Sequence, residues 1–200
     1  MMDQSAAPRE STRERLIQAA YQEFVQNGYH GTSMRRIAAR AGLAVGGIYN
    51  HFAGKEDIFV AVFDQYHPYH VLVPALGQAQ GAALDDFVRH AARLLEAALA
   101  ERGHHIMPIM FIELLEFQGR HLKDLAERIF PIFLTFLEGF AARSQKMRAV
   151  PLPTVQRAFM SLMIGYFFTD YVLSDSPLKA AGASAELEGV VDVFLHGVLK

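Results

Sequence analysis

The sequence predicts an all-α protein of about nine helices, arranged as a small N-terminal head followed by a larger helical body. Apolar residues recur three and four positions apart through most of the chain, which is the period of a helix that buries one face. Glycine and proline mostly stand between these periodic segments, and no segment alternates convincingly as a strand does. With 200 residues, of which 52% are apolar and 20% charged, the chain can bury a sizeable core.

The first helix is predicted from about residue 11 to residue 26. Leu16, Ala20 and Phe24 follow one another at intervals of four, so they share one face and should contribute to the core of the head. The helix should stop at Asn27-Gly28, because glycine tolerates the backbone conformation that commonly ends a helix.

The next segment contains two short helices joined by a tight turn. Thr32 or Ser33 can cap the first of them, because either hydroxyl can accept a hydrogen bond from a backbone N–H. Gly42 stands where a residue free to take a positive φ would end the helix and turn the chain. Ile48 and Phe52 are four residues apart and mark the buried face of the second helix. This arrangement is the helix-turn-helix signature.

Basic residues dominate the charge of this segment. Between Gly28 and Lys55 the charged side chains are Arg35, Arg36, Arg40 and Lys55 with no acid, a local charge of +4 against −2 for the whole chain. A solvated helical face normally mixes signs, so this composition favours a surface that binds phosphate. The alternative is a helical hairpin whose charges are merely solvated.

A fourth helix starts near Lys55, with Glu56 and Asp57 in its first turn, where the helix dipole favours acids. Pro68 and Pro74 then interrupt the helical pattern, which predicts a boundary between the head and the body in this segment.

Five further helices are predicted in the body, at about 83–100, 107–117, 121–143, 154–174 and 185–199. Pro131 lies inside the third of these and should kink it, because proline removes one backbone hydrogen bond. We therefore predict a helix-turn-helix domain over residues 10–54 and a second domain over residues 55–200, in which the helix at 55–67 is the connector.

Composition excludes several classes of site. The chain has no cysteine, so it has no disulfide, no thiolate zinc site and no thiol nucleophile. The first sixteen residues lack the apolar core of a signal peptide, and the most apolar later stretch, Ala158 to Leu173, is shorter than the ~18–20 residues that a membrane span needs. We expect a soluble cytoplasmic protein with no cofactor and no membrane association.

A specific residue pattern accompanies the helix-turn-helix. It consists of Thr32-Ser33-Met34-Arg35-Arg36-Ile37-Ala38, Ala41-Gly42-Leu43, Gly46, Ile48-Tyr49, His51-Phe52 and Lys55-Glu56. The pattern resembles the DNA-binding domain of the TetR family of transcriptional repressors, and the Tyr-x-His-Phe run followed by a lysine is far more specific than a generic helix-turn-helix. The resemblance spans roughly residues 10 to 65, and beyond it only the all-helical layout agrees.

The resemblance implies that the second helix of the motif enters the major groove of an operator in double-stranded DNA. The DNA-binding residues that it implies are Thr32, Ser33, Arg35, Arg36, Val45, Gly46, Gly47, Tyr49, Asn50, His51 and Lys55. Tyr49, His51 and Lys55 would contact phosphate, as would one of the two hydroxyls before the first helix. Arg35 and Arg36 could reach either the backbone or base edges. The alternative for His51 is burial in the core.

The start of the recognition helix departs from the family pattern. Ala44 and Val45 stand where the family usually has a hydroxyl cap and then a polar residue, and Gly46-Gly47 follows. Val45 could touch a thymine methyl group, and the glycines could allow close approach of the backbone to DNA. Asn50 is the polar side chain best placed to bind an adenine edge.

In the resembling family the two C-terminal helices form a four-helix bundle with their copies, so the resemblance also implies a homodimer. The dimer face is expected to comprise Phe159, Met163, Tyr166, Val191, Phe194 and Val198. The alternative is that the same residues fill the core of one chain.

The resemblance further implies a body that holds a small effector. The expected ligand-binding residues are Tyr66, Met107, Met110, Phe111, Glu113, Leu114, Phe117, Phe133, Phe136 and Phe167. Deformable methionine and flat phenylalanine walls favour an apolar or aromatic ligand, and Glu113 or Glu116 could orient a polar or cationic end of it. The alternative is that this aromatic stripe is plain core.

These observations favour a dimeric, ligand-released repressor of a near-palindromic operator. An activator of the same fold would use the same DNA surface, and a helical ligand-binding protein without DNA function is a weaker alternative. The chain has no phosphate loop, no nucleophile elbow and no clustered acid–base pair, which argues against an enzyme. The pairs His67/His70 and His104/His105 suggest a metal site, but neither pair has the helical spacing that would let both histidines bind one ion.

Overall fold

The computed structural model describes residues 10–99, 103–143, 148–174, 176–177 and 186–199. The all-α prediction is confirmed, because this part of the chain forms helices and no strand. The helices are α1 (Thr12–Gly31), α2 (Met34–Arg40), α3 (Val45–Ile48), α4 (Lys55–Tyr66), α5 (Tyr69–Gly77), α6 (Leu84–Leu99), α7 (Gly103–Glu116), α8 (Arg120–Ala141), α9 (Leu152–Leu173) and α10 (Leu187–Val198).

The prediction of nine helices missed α5. Pro68 and Pro74 predicted a break, yet a helix begins directly after Pro68, and the amide of Leu72 donates to the Pro68 carbonyl at 2.9 Å. Pro74 removes one hydrogen bond from the helix and is exposed. Leu72 and Leu76 pack against the core of the body, and this burial outweighs the single lost bond.

The chain divides into two compact units, each described here by itself. The head unit comprises the described residues up to His67 together with Pro108–His121, and the body unit comprises those of Pro68–Met107 and Leu122–Lys200. The helix at 55–67, expected as a connector within the second domain, therefore lies in the head unit, where α4 packs on α1. The functional division at residue 55 stays a prediction.

The head unit is built on an apolar core to which α1 to α4 all contribute. Its buried side chains include Leu16, Ile17, Ala20, Phe24, Ile37, Ala38, Ile48, Phe52, Ile58, Phe59, Val62 and Phe63. Each large apolar side chain in such a core contributes about 1.5–3 kcal/mol by leaving water. The core therefore fixes the short helices α2 and α3, which are too short to be stable alone.

The body unit has a core of its own, formed by α6, α8, α9 and α10. Phenylalanine rings pack in a row through it, from Phe87 to Phe136, Phe159 and Phe194, with neighbouring ring centroids 5.4–5.9 Å apart. No helix in the described residues is both long enough and apolar enough to cross a membrane.

Most of the residues expected at the dimer face lie inside one body unit. Phe159, Met163, Val191, Phe194 and Val198 are all buried in the core of a single body unit, and Tyr166 is half-buried against it. Side chains that are buried within one chain cannot form the surface on which two chains meet. Their burial favours the alternative that they fill the core of one chain, and the dimer face itself stays a prediction.

Candidate nucleic-acid interface

The junction between α1 and α2 separates the roles of two neighbouring hydroxyls. Ser33 is the N-cap of α2 and accepts a hydrogen bond from the amide of Arg36 at 3.3 Å, while remaining exposed. Thr32 is only 2% exposed, and its hydroxyl donates to the carbonyls of Glu23 and Gly28 at 3.0 and 2.8 Å. Thr32 therefore fastens α2 to α1, which leaves Ser33 as the exposed hydroxyl of the pair, and a contact of either residue with DNA stays a prediction.

The turn after α2 has the geometry that the sequence predicts. Gly42 has φ +70°, a conformation that favours glycine. Its amide donates to the carbonyl of Ala39, and the amide of Leu43 donates to that of Ala38, the paired hydrogen bonds of a Schellman motif. This turn sets the direction in which α3 leaves α2.

The recognition element is the short helix α3 and the turn that follows it. Ile48 and Phe52 are buried and anchor it to the core of the head. Tyr49, Asn50 and His51, which lie between these anchors, are exposed, with Tyr49 55% accessible. The alternative of a buried His51 is therefore wrong. Three polar side chains project from a fixed position on the surface.

The start of α3 is as bare as the sequence predicts. Ala44 is the N-cap and supplies no side-chain hydrogen bond, and Val45 is exposed. Neither Gly46 nor Gly47 has an atom within 4 Å of the place where a Cβ would stand, and neither has a positive φ. No packing contact in the described structure therefore requires glycine at these two positions.

The arginines of α2 differ in their partners. Arg35 is exposed and has no hydrogen bond or ion pair to any residue that the structure describes. Arg36 and Arg40 both donate through Nε to the carboxylate of Glu23 on α1, at 2.8 and 2.7 Å. The segment from Gly28 to Lys55 has no acid of its own, but Glu23, which precedes it in the chain, neutralises one of the two guanidinium charges.

Glu23 is the main residue beside the candidate interface that sequence reasoning missed. Burial by itself would raise its pKa, but the hydrogen bonds and charges of Arg40 and Arg36 outweigh that effect and hold the pKa below its ordinary value of 4.5. A carboxylate with a lowered pKa stabilises the fold at neutral pH, and this contribution is lost as the pH falls through the lowered pKa. The sequence did contain a signal for this residue, because the helical period places Glu23 on the buried face of α1, where an acid needs a partner.

Lys55, which the resemblance assigns to phosphate, is bonded to two backbone carbonyls of the head unit. Its ammonium group donates to the carbonyls of Tyr29 and Thr32 at 2.7 and 3.0 Å and lies 4.3 Å from the centre of the Tyr29 ring. Burial lowers the pKa of this ammonium group, against the opposing charge of Glu116. Lys55 thus ties the start of α4 to the end of α1 and keeps one N–H for a further partner.

Residues 108–121 pack on the head through rings and charges. The ring of Phe117 lies 4.6 Å from that of Phe59 on α4 and 4.8 Å from that of Tyr29. Arg120 pairs with Glu56 in the first turn of α4, and His30 Nε2 lies 2.6 Å from Glu116. The end of α7 is therefore part of the same compact unit as the recognition element.

Glu113 is buried, and its carboxylate is hydrogen-bonded to His121. One carboxylate oxygen accepts a hydrogen bond from the backbone amide of His121 at 2.8 Å, and the other lies 2.7 Å from Nδ1 of the same residue. Nε2 of that imidazole lies 3.6 Å from Glu56. The carboxylate has no exposed surface and is bonded within the head unit, so its expected role in orienting a ligand gains no support here and stays a prediction.

The other expected ligand-binding residues are not gathered in one unit. Tyr66, Met110, Phe111, Leu114 and Phe117 belong to the head unit, whereas Met107, Phe136 and Phe167 belong to the body unit. Phe136 is buried among other phenylalanines, and the side chain of Phe133 lies outside the described residues. A shared ligand site remains a prediction. Within the described residues, no three histidine or acidic side chains lie close enough together to hold a metal ion.

Comparison with known proteins gives a consistent result. A model of "Bacterial regulatory proteins, tetR family" matches residues 16–62. The HTH-type transcriptional regulator SrpR of Pseudomonas putida is 31% identical over 121 residues, which are 60% of this chain and 52% of SrpR. The uncharacterized HTH-type transcriptional regulator TtgW, also of Pseudomonas putida, is 30% identical over 121 residues, 60% of this chain and 83% of TtgW. The aligned part of the chain thus spans about half the length of SrpR.

Among solved structures, the fold is similar to that of NalD from Pseudomonas aeruginosa, described as the secondary repressor of the MexAB-OprM multidrug efflux pump. The TM-score is 0.66 at 20% sequence identity, and the match covers 94% of this chain and 97% of NalD. At this identity the likeness shows the fold.

Proposed function

This chain belongs to the TetR family of DNA-binding transcriptional regulators, and on that premise we propose that it is a homodimeric repressor that a small ligand releases from a near-palindromic operator. The observation that carries the proposal is the exposed run from Tyr49 to His51, held between the buried anchors Ile48 and Phe52. Rigid anchoring of exposed polar side chains is what recognition of a fixed array of phosphates and bases requires.

The described side chains support a division of roles in the head. Ser33, Arg35, Tyr49 and His51 are exposed polar groups that can donate to phosphate oxygens. Asn50 can bind an adenine edge in the major groove. Val45 can contact a thymine methyl group.

The bare helix start can let the DNA come close to the protein backbone. Gly46 and Gly47 carry no side chain between the backbone and a neighbouring surface, and no internal contact explains them. Lys55 has two of its three donors bonded to backbone carbonyls, so we assign it chiefly to holding α4 in place, with one N–H left for a phosphate.

An exposed apolar face on the C-terminal helices supports the dimer. Ile164, Phe168 and Val172 follow one another at intervals of four on α9 and are 65%, 42% and 56% exposed, and Val193 on α10 is 74% exposed. A second copy of this chain is the occupant we propose, since two linked heads are needed to bind two half-sites of an operator. This face replaces the buried residues that the sequence had indicated.

A ligand would act through the relative stability of two arrangements of the head. Residues 108–121 pack on α4 and on the end of α1, so a change in their position would change the contacts of the head. An apolar or aromatic effector that prefers one arrangement lowers or raises DNA affinity by that preference alone. Transcriptional activation uses the same DNA surface and is the second candidate function.

The experiment is a mobility-shift titration of the purified chain on DNA from the region upstream of its own gene, over a series of salt concentrations. We expect saturable binding that weakens steeply with salt and protection of two half-sites related by a two-fold axis. Should that fragment fail, selection from random DNA identifies another operator. A folded dimer that recovers no sequence from either source would contradict the proposal.

The same assay then serves as the screen for effectors. Apolar and aromatic compounds are added to the preformed complex, and release of the DNA identifies a ligand. Reporter expression from the operator, with and without the chain, distinguishes a repressor from an activator.

A further inference from the structure

Glu23 is a buried carboxylate at the contact between α1 and α2. It is 3% exposed and accepts hydrogen bonds from Nε of Arg36 at 2.8 Å, Nε of Arg40 at 2.7 Å and Nδ2 of Asn27 at 3.1 Å. Its own carbonyl accepts from the Thr32 hydroxyl at 3.0 Å. The residue is thus fixed through both its side chain and its backbone, and it provides a rigid anchor for the side chains that bind it.

The two arginines that bind Glu23 are not equivalent. Arg40 also donates through Nη1 to Gln22 at 3.3 Å and through Nη2 to Gln26 at 2.7 Å, so all three nitrogens of its guanidinium have partners on α1. Arg36 donates through Nε alone within the described part of the chain, and its side chain is 51% exposed. Arg40 is therefore a structural link between helices, whereas Arg36 is held through Nε and keeps its two Nη groups without a partner among the described residues.

This arrangement is unfavourable for a protein that needs only electrostatic attraction to DNA. The carboxylate of Glu23 reduces the charge of the cluster from +2 to +1, which weakens the pull on phosphates of any sequence. Its compensating effect is orientation. A bonded Nε fixes the plane of a side chain that would otherwise sample many rotamers, and a fixed guanidinium plane is what a bidentate contact requires.

We propose that Glu23 is a positioning residue for DNA recognition, which fixes the guanidinium of Arg36 so that its Nη groups make an oriented contact in the operator complex. Glu23 thereby raises the preference for the operator over other DNA rather than the affinity for DNA in general. This inference rests on the proposed DNA-binding function.

A double-mutant cycle tests the inference. The probes are a duplex of the operator recovered by the wild-type chain from random DNA, and a scrambled duplex of equal length. Glu23→Gln keeps the shape of the side chain and removes its charge, and Arg36→Ala removes the positioned group. We expect Glu23→Gln to lower the ratio of operator to scrambled affinity about three- to tenfold, with no loss of affinity for the scrambled duplex.

The coupling between the two residues is the decisive readout. Arg36→Ala should lower operator affinity about tenfold in the wild-type background and less than about twofold when Glu23 is already glutamine. Arg40→Ala is the matched control, because it removes a partner of the same carboxylate on the same helix. It should lower the melting temperature and leave the affinity ratio nearly unchanged.

Each outcome has a defined meaning. If Arg36→Ala costs the same affinity in both backgrounds, and Glu23→Gln changes only the melting temperature, Glu23 is structural and the inference is overturned. If the wild-type chain recovers no operator, the proposed function fails instead. Should Glu23→Gln not fold, Arg36→Lys decides the matter, because lysine keeps the charge but has no planar fork. Full retention of the affinity ratio by Arg36→Lys would overturn the inference, and its loss would support it.

Discussion

The helix-turn-helix and the C-terminal pair α9 and α10 leave opposite kinds of residue exposed. In the head, buried Ile48 and Phe52 fix a run of polar side chains that points outward. On α9, buried Phe159 and Met163 fix an outward row that is itself apolar. Both regions use a buried face for folding, so what distinguishes their functions is the second face. A polar, anchored face suits DNA, and an apolar one suits another protein chain.

The largest expected effect comes from placing a charge on the apolar face of the C-terminal pair. Val193→Asp would bury an unpaired carboxylate in the proposed interface, so we expect a monomer by sedimentation and about 100-fold or greater loss of operator affinity, because the two heads are no longer linked. Leu134→Asp is the control, since Leu134 is exposed on α8 outside this face. A Val193→Asp protein that stays dimeric would contradict the assignment of the face.

The next effect sharpens the assignment of the polar face. Tyr49→Ala should weaken binding to operator and scrambled DNA alike, about tenfold at moderate salt, with little change in the salt dependence, because the phosphate contact that is lost comes from an uncharged hydroxyl. Asn50→Ala should instead lower the preference for the operator. Both residues are exposed, so the melting temperature should hardly change. Wild-type affinity in the Tyr49→Ala protein would contradict the assignment.

A Lys55 variant tests whether this side chain stabilises the fold. Lys55→Met keeps the apolar stem and removes the donor to the carbonyls of Tyr29 and Thr32, so we expect a loss of about 1–2 kcal/mol in the free energy of unfolding. Chemical denaturation measures this loss. Arg35→Met is the control, because Arg35 makes no such bonds among the described residues. Equal stability of the two variants would show that the Lys55 contacts contribute little.

The smallest expected change has opposite signs for folding and for binding. Gly47→Ala should raise the free energy of unfolding by up to about 1 kcal/mol, because alanine favours a helix and no described atom lies near the added methyl group. The same methyl group should weaken operator binding if DNA approaches the backbone closely. Gly77→Ala, at the end of α5 and equally free of neighbours, is the control. A Gly47→Ala protein that binds the operator as well as the wild type would remove the close-approach role.

Local signals predicted the head well. The break at Gly42 and the uncapped start of α3 at Ala44 follow from single residues and their immediate neighbours, and the structure confirms both. The partner of Arg36 and Arg40 could not be predicted in the same way. Glu23 is 13 positions away from Arg36, and only the packing of α1 on α2 brings the two side chains together.

In the body, the sequence predicts most of the helices but not which of their faces are buried. α9 is apolar on more than one face, so periodicity alone cannot say which row of residues is buried. Phe159 and Met163 lie inside and Ile164 and Phe168 outside because α6, α8 and α10 occupy one side of the helix. Likewise, Pro74 removes one backbone hydrogen bond from α5 and so disfavours a helix locally, yet the burial of Leu72 and Leu76 outweighs this cost.

The bare start of α3 also bears on how such a protein could change its targets. Ala44 and Val45 are exposed, and neither Gly46 nor Gly47 has a neighbour within 4 Å of an added Cβ, so the four positions are free of demands from the core. Substitutions there would alter which bases are preferred while leaving the scaffold intact. New operator preferences can therefore be introduced in this short stretch, by evolution or by design, one side chain at a time.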